Sequence, residues 1–287
     1  MRSPVEYDDA LKWRKVYGVS EFRVVVRSNS RRFSEEFGRL FRYFETDGDA
    51  QVVYSVVVGR KSHALLRGEE VLYETEEYGE LIPALECEVE GWMVRALYGH
   101  CIFHAGVVAK EGVGVILPAE PGGGKTSLVA AMLERGFEYL SDEFAVLDPG
   151  SMKVLPFPKS LCFKEGGIEL FPHLKPKGLH VEWDMGGRVG RLWYVDPLDL
   201  GSEVSGEARE VEYIVFPERN GLRGSKIEEV PKAKAVLKLA ENFLNLDFFG
   251  QDALDILVKV VNEAECFRLR AERPQEGARI ISDLMGG

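Results

Sequence analysis

Two apolar runs, "CIFHAGVVA" at 101–109 and "VGVILPA" at 113–119, are separated by Lys110-Glu111-Gly112 alone. Each run has the length and apolar character of a buried strand. Parallel neighbours need a crossover of about a dozen residues or more, so this connection admits only an antiparallel hairpin. With Glu111-Gly112 as the turn, Lys110 faces Val113 and, further along the ladder, His104 faces Ala119. A turn slipped by one residue sets His104 opposite Leu117 instead. In either register His104 stands at the far end of the hairpin, where the chain enters "PAEPGGGKTSL".

That segment matches the phosphate-loop pattern G-x-x-x-x-G-K-[ST] at Gly124-Lys125-Thr126, with Ala119 in place of the first glycine. A strand precedes it, and a helix from Lys125 to Arg135 follows, ending at Gly136. The backbone N–H groups of Gly122 to Thr126 are expected to converge on an anion at the positive end of that helix. Gly122, Gly123 and Gly124 let the backbone approach phosphates closely, and Pro121 and Ser127 complete the binding segment. Lys125 is expected to reach the β and γ oxygens of a nucleotide, and Thr126 to offer its hydroxyl to Mg²⁺.

After the helix, "FEYLSDEFAVLD" at 137–148 ends an apolar run in Ser141-Asp142-Glu143, where a metal-binding carboxylate is expected. Two adjacent acids also permit one near the metal and one acting as base toward a hydroxyl, and the sequence leaves open which does which. His104 is a candidate to assist them. Lys159, Lys164 and the glycine-flanked Arg188 are candidates to neutralise a transferring phosphoryl group or contact the acceptor. Asp148-Pro149-Gly150 reads as a hairpin turn.

The flanking regions differ in texture. Between residues 20 and 75, "FRVVVRS", "AQVVYSVVVGR" and "HALLRGEEVLYET" read as strands of a small antiparallel sheet. From Gly79 to Gly99 the apolar residues recur every three to four positions, which predicts a helix connecting to the next domain. Three amphipathic helices are expected at 232–246, 251–264 and 274–285. The domains are placed at 1–98, an α+β region, and 99–287, the region with the chemistry. With 47 acidic against 36 basic residues, the net charge of -11 argues against a nucleic-acid binder. No run approaches a membrane span and "MRSPVEYDDA" lacks the apolar core of a signal peptide, so a cytoplasmic location is expected. Cys87, Cys101, Cys162 and Cys266 form no C-x-x-C pair and suggest neither zinc nor disulfides.

The run from "FHAGVVAKEGVGVILPAEPGGGKTSL" through "RGFEYLSDEFAVLD" to "PFPKSLCFK" resembles the HPr kinase/phosphorylase superfamily, closest to its HPr kinase-related branch. The resemblance is strong from His104 to about Lys164 and looser from there to the C-terminus. It implies an α/β fold: a mixed-sheet P-loop kinase core akin to phosphoenolpyruvate carboxykinase, with a small N-terminal α+β region and C-terminal helices. In HPr kinases a histidine precedes the loop strand, and a pair of aspartates after the helix supplies the base and a metal contact. His104, Lys125, Thr126 and Asp142 stand at matching positions, whereas Glu143 departs from the aspartate pair. The implied activity is transfer of the γ-phosphoryl group of ATP, or of another nucleoside triphosphate or diphosphate, with Mg²⁺. The acceptor would be a serine-type hydroxyl of a small molecule or of a protein or peptide. The alternative is a nucleotide-binding regulator or slow NTPase without an acceptor. The family's reverse phosphorolysis is not carried over, because its segment has no counterpart here. HPr kinases form hexamers, so a homo-oligomer is implied by analogy.

Overall fold

The computed structural model describes residues 11–120, 122–184, 189–218 and 224–286, and the chain divides into two compact units. One unit comprises residues 1–97 with 178–194, and the other 98–177 with 195–287. The molecule is mixed α/β, with several mixed sheets and helices. Among the described residues, no helix is long and apolar enough to cross a membrane.

In the first unit, β1 (Trp13–Val19) and β2 (Phe22–Ser28) form a hairpin, followed by α1 (Arg31–Leu40), β3 (Glu45–Thr46), β4 (Val52–Val58), β5 (His63–Arg67), β6 (Glu70–Thr75) and α2 (Leu81–Ala96). The six strands lie in the order β3-β1-β2-β4-β5-β6. The sheet is not wholly antiparallel as expected: β2 and β4 run parallel, Val24 beside Val52 and Val26 beside Tyr54. The cause is α1, an unexpected crossover helix. Its N-cap Ser30 accepts a hydrogen bond from the Phe33 N–H, and Phe33, Phe37 and Leu40 bury one face of it. The helix expected at 79–99 is α2, which buries Leu81, Leu85, Val89 and Met93.

The second unit opens with β7 (Cys101–Lys110) and β8 (Val113–Pro118), paired Lys110 with Val113 through Ala105 with Pro118. Glu111 and Gly112 have φ of 53° and 85°, the left-handed pair that a two-residue hairpin turn uses. The unslipped register is the one adopted, and it sets His104 opposite Ala119. Next come α3 (Lys125–Leu133), β9 (Glu138–Ser141), β10 (Phe144–Leu147), β11 (Lys153–Leu155), β12 (Leu161–Lys164) and the single turn α4 (Glu165–Ile168). The hairpin of β13 (Leu179–Asp184) and β14 (Val189–Val195) lies almost entirely in the first unit. The second unit resumes with β15 (Arg209–Glu218), β16 (Lys226–Glu229), α5 (Lys232–Ala240), α6 (Leu246–Phe249), α7 (Asp252–Glu263), β17 (Glu265–Arg270) and α8 (Pro274–Leu284). β8 and β17 flank β15 in parallel, whereas β7, β10 and β16 join antiparallel, so this sheet is mixed.

The two-residue repeat of a strand sends alternate side chains of β7 to opposite faces. Cys101, Phe103, Ala105, Val107 and Ala109 enter the core with Leu239 of α5 and Leu257 and Val261 of α7. Gly106 marks the other face, where a Cβ would stand 2.7 Å from Val129 Cγ2 of α3. His104 shares that parity and so lies on the α3 side. The Gly106→Ala variant should lose about 1–3 kcal/mol to this overlap, because a buried valine fixed at χ1 has little room to yield. Urea denaturation checks it, and wild-type stability would mean that α3 can retreat freely.

Candidate functional site

β8 delivers the glycine-rich loop to α3. Gly122 and Gly124 have φ of 80° and 89°, a region costly for residues with a Cβ. Gly124 is the N-cap, and no described side chain caps the helix, so its first-turn N–H groups are available to a ligand. One expected member of the amide cradle is engaged elsewhere: the Gly123 N–H donates to Glu120 O at 2.9 Å, closing a turn. Pro121 lies outside the described residues.

Lys125 is 6% exposed and its ammonium donates to Ala119 O at 2.7 Å. It also lies 3.0 Å from His104 Nε2 and 3.3 Å from Nδ1. Burial pushes Lys125 below the ordinary lysine value; the charges of Glu143 and Asp142 oppose this, and that of Lys164 adds to it.

The acid pair sits where the β9–β10 ribbon crosses β7. Ser141 pairs with Val107 and Phe144 with His104, which places Asp142 and Glu143 opposite Gly106 and Ala105. Ser141 shapes the bend, its hydroxyl accepting the N–H groups of Glu143 at 3.2 Å and Phe144 at 3.0 Å. The two carboxylates are treated differently. Asp142 is 2% exposed and its Oδ2 accepts the Thr126 hydroxyl at 3.0 Å and the Cys162 N–H at 3.3 Å. Its Oδ1 faces the Tyr139 hydroxyl at 3.0 Å, whose one proton is shared with Lys159 O at 2.7 Å. Burial pushes the Asp142 carboxyl above the usual range; the buried Lys159 ammonium works against this and the Glu143 charge adds to it.

The Glu143 side chain is 36% exposed, and its Oε1 lies 3.3 Å from His104 Nε2. Burial drives its carboxyl upward, but the His104 hydrogen bond and the charges of Lys159, His104 and Lys125 outweigh this and hold it below the ordinary glutamate value. His104, Thr126, Glu143 and Lys164 line a cavity of about 240 Å³ together with the loop. Lys159 is buried behind the two acids, and Arg188 lies outside the described residues.

The donor set suits a hard cation. Thr126 Oγ1 and Asp142 Oδ2 stand 3.0 Å apart, close to the spacing of about 2.9 Å between adjacent oxygens around an octahedral ion bound at 2.0–2.1 Å. A Cβ at Gly122 would meet nothing within 4 Å among the described residues, so the loop is open there to an approaching phosphate chain, whereas one at Gly123 would stand 3.0 Å from Glu120 O.

Four contributors were not expected from sequence. Tyr139 and the Cys162 N–H hold Asp142. Asn242 and Asn245 in the turn after α5 hold the start of β7: the His104 N–H donates to Asn242 O at 2.8 Å, and the Ile102 N–H to Asn245 Oδ1 at 2.9 Å. "SDEF" carries the local serine-turn signal, whereas the asparagines act 138 and 143 residues along the chain from their partners and leave no local trace. No family model matches the chain, and no curated protein matches it.

The raised carboxyl of Asp142 carries a stability consequence. Between the ordinary aspartate value and its own, the folded chain binds more protons than the unfolded one, so stability falls as pH rises through that window. In Asp142→Asn the oxygen can keep Thr126 and the Cys162 N–H while the amide donates to Tyr139. The variant should therefore unfold at or above the wild-type temperature near pH 7 without divalent cations, its advantage shrinking toward about pH 4. A variant less stable than wild type near pH 7 would show that the Lys159 pairing outweighs burial.

Proposed function

We propose that this chain is an ATP-dependent kinase of the HPr kinase-like kind, moving a γ-phosphoryl group to a serine-type hydroxyl, with the second unit as its P-loop core. The observation that carries the reading is the contact of Thr126 with Asp142 at 3.0 Å beside the uncapped start of α3, with Lys125, His104 and Glu143 grouped on the same cavity. A glycine-rich loop, a buried ammonium and two carboxylates together are what phosphoryl transfer needs, because positioning and charge neutralisation do most of that chemistry.

In this reading the α3 amides and Lys125 bind the phosphate chain, and Lys125 exchanges its bond to Ala119 O for the phosphate oxygens. Thr126 and Asp142 would hold Mg²⁺, which when bound neutralises phosphate charge and orients the terminal group. The two acids divide their labour by environment. Asp142, fixed by three donors, is a ligand and positioning group. Glu143 faces the cavity and is kept ionised by its cationic neighbours, so it is the proton acceptor for the attacking hydroxyl, oriented by His104 Nε2. Lys164, at the cavity wall, would neutralise charge on the side of the acceptor.

The test is transfer of ³²P from γ-labelled ATP with Mg²⁺ into a cell extract separated into small-molecule and protein fractions. Label should appear with the wild type and vanish with Lys125→Ala. Glu143→Gln should lower kcat by about 10²-fold or more and leave nucleotide affinity within about threefold. ATP binding without any transfer would contradict the kinase reading in favour of a nucleotide-binding regulator. Full turnover by Glu143→Gln would remove the base from Glu143.

A further inference from the structure

β12 carries a second ammonium group to the cavity that the acid pair faces. Its side chains alternate: Leu161 and Phe163 are buried, whereas Cys162, half-buried, and Lys164, exposed, share the other face and line the cavity. The run is pinned along its length. The Cys162 N–H donates to Asp142 Oδ2 at 3.3 Å, and the Phe163 ring packs on Phe171 with 5.7 Å between ring centres. The turn that follows stands close against α3, since a Cβ at Gly167 would lie 3.2 Å from Ser127 Oγ. Lys164 therefore leaves a fixed backbone two residues, roughly 6–7 Å, beyond the contact with Asp142. Lys125 is held by Ala119 O, whereas the Lys164 ammonium has no hydrogen-bond or ion-pair partner among the described residues.

Lys125 and Lys164 face one space, and the charge of Lys164 disfavours that of Lys125. A phosphate chain on the loop offsets Lys125 and leaves Lys164 to meet whatever else enters. An acceptor that is itself an anion is repelled by the terminal phosphate of the donor unless a separate cation meets it; a neutral alcohol needs no such cation. Room is limited too. The cavity holds about 240 Å³, below the roughly 300–1,000 Å³ of ordinary ligand sites, and it must take the terminal phosphoryl group as well. We propose that the acceptor is a small alcohol bearing an anionic group, a carboxylate or a phosphate, with its hydroxyl at Glu143 and its anion on Lys164. Lys164 is then the residue that selects the acceptor. The proposal rests on the kinase reading and adds the acceptor class to it. The acceptor oxygen bonds to the γ-phosphorus as the bond from that phosphorus to the β–γ bridging oxygen breaks; ADP leaves, and the hydroxyl proton passes to Glu143.

The test uses the small molecules of a cell extract, freed of nucleotides on charcoal and divided on an anion exchanger at about pH 10.5, where amino acids too are net anions. With the full chain, Mg²⁺ and γ-labelled ATP, ³²P should enter the retained pool. Treating that pool beforehand with a phosphatase separates the two anions, because a carboxylate acceptor survives the treatment and a phosphate ester does not. With Lys164→Met, half-saturation should require the retained pool at about tenfold higher concentration or more, with a much smaller effect on the rate at saturation. Lys164→Arg, which keeps the charge, should recover most of that loss. Label entering only the unretained pool, or only the protein fraction, overturns the proposal. So does a Lys164→Met variant whose half-saturation is unchanged; if its saturating rate falls instead, Lys164 serves the transferring phosphoryl group. No label in any fraction contradicts the kinase reading itself.

Discussion

Glu111 and Gly112, both with left-handed backbone, close β7 on β8 in one register, and the candidate site depends on that register. A strand slipped by one residue turns every side chain to the opposite face. His104 would then point toward α5 and α7 instead of meeting Lys125, and Phe103 would leave its contact with Phe243, 4.6 Å between ring centres, for the polar side. The apolar faces of β7 therefore hold the polar site in place. Registry is enforced at the other end by the Asn242 and Asn245 turn, which pairs the backbone of β7 where β8 has already departed into the loop.

Around this frame the protein buries Lys125, Asp142 and Lys159, an arrangement that a fold selected for stability alone would avoid. The shifts of Lys125, Asp142 and Glu143 share one origin. Burial penalises any charge, and each group is restored only as far as its neighbours allow, incompletely for Asp142 and Lys125 and more than completely for Glu143. Two adjacent carboxylates thus acquire different chemistry from their surroundings: one locked among donors, the other open to the cavity.

Much of the second unit was legible because its signals are local. The three-residue connection forced the hairpin, the glycines and Lys125 marked the loop, and the apolar spacing located α2, α7 and α8, whereas the helix expected at 232–246 ends as α5 at Ala240 and gives way to a turn before α6. What was not legible is non-local. Nothing in "FRVVVRS" or "AQVVYSVVVGR" says that they lie parallel, and that outcome followed from α1, whose Ser30 cap and Phe33, Phe37, Leu40 spacing were masked by charged neighbours. β17 is a six-residue strand between two helices, and its apolar positions continue their pattern. The acid pair is marked in the sequence by its distance from the loop. How each carboxylate is held depends on Tyr139, Cys162 and Lys159, whose contacts with the pair are set by packing.

Hydrogen exchange with and without ATP and Mg²⁺ tests the central claim, that the loop and its two carboxylates form a single phosphate site. The account predicts that saturating nucleotide slows exchange of the amides at Gly122, Gly124, Lys125 and Thr126 and in the Ser141–Phe144 bend, and that Lys125→Ala loses this protection. Unchanged exchange at those amides, or protection confined to another part of the chain, would contradict it.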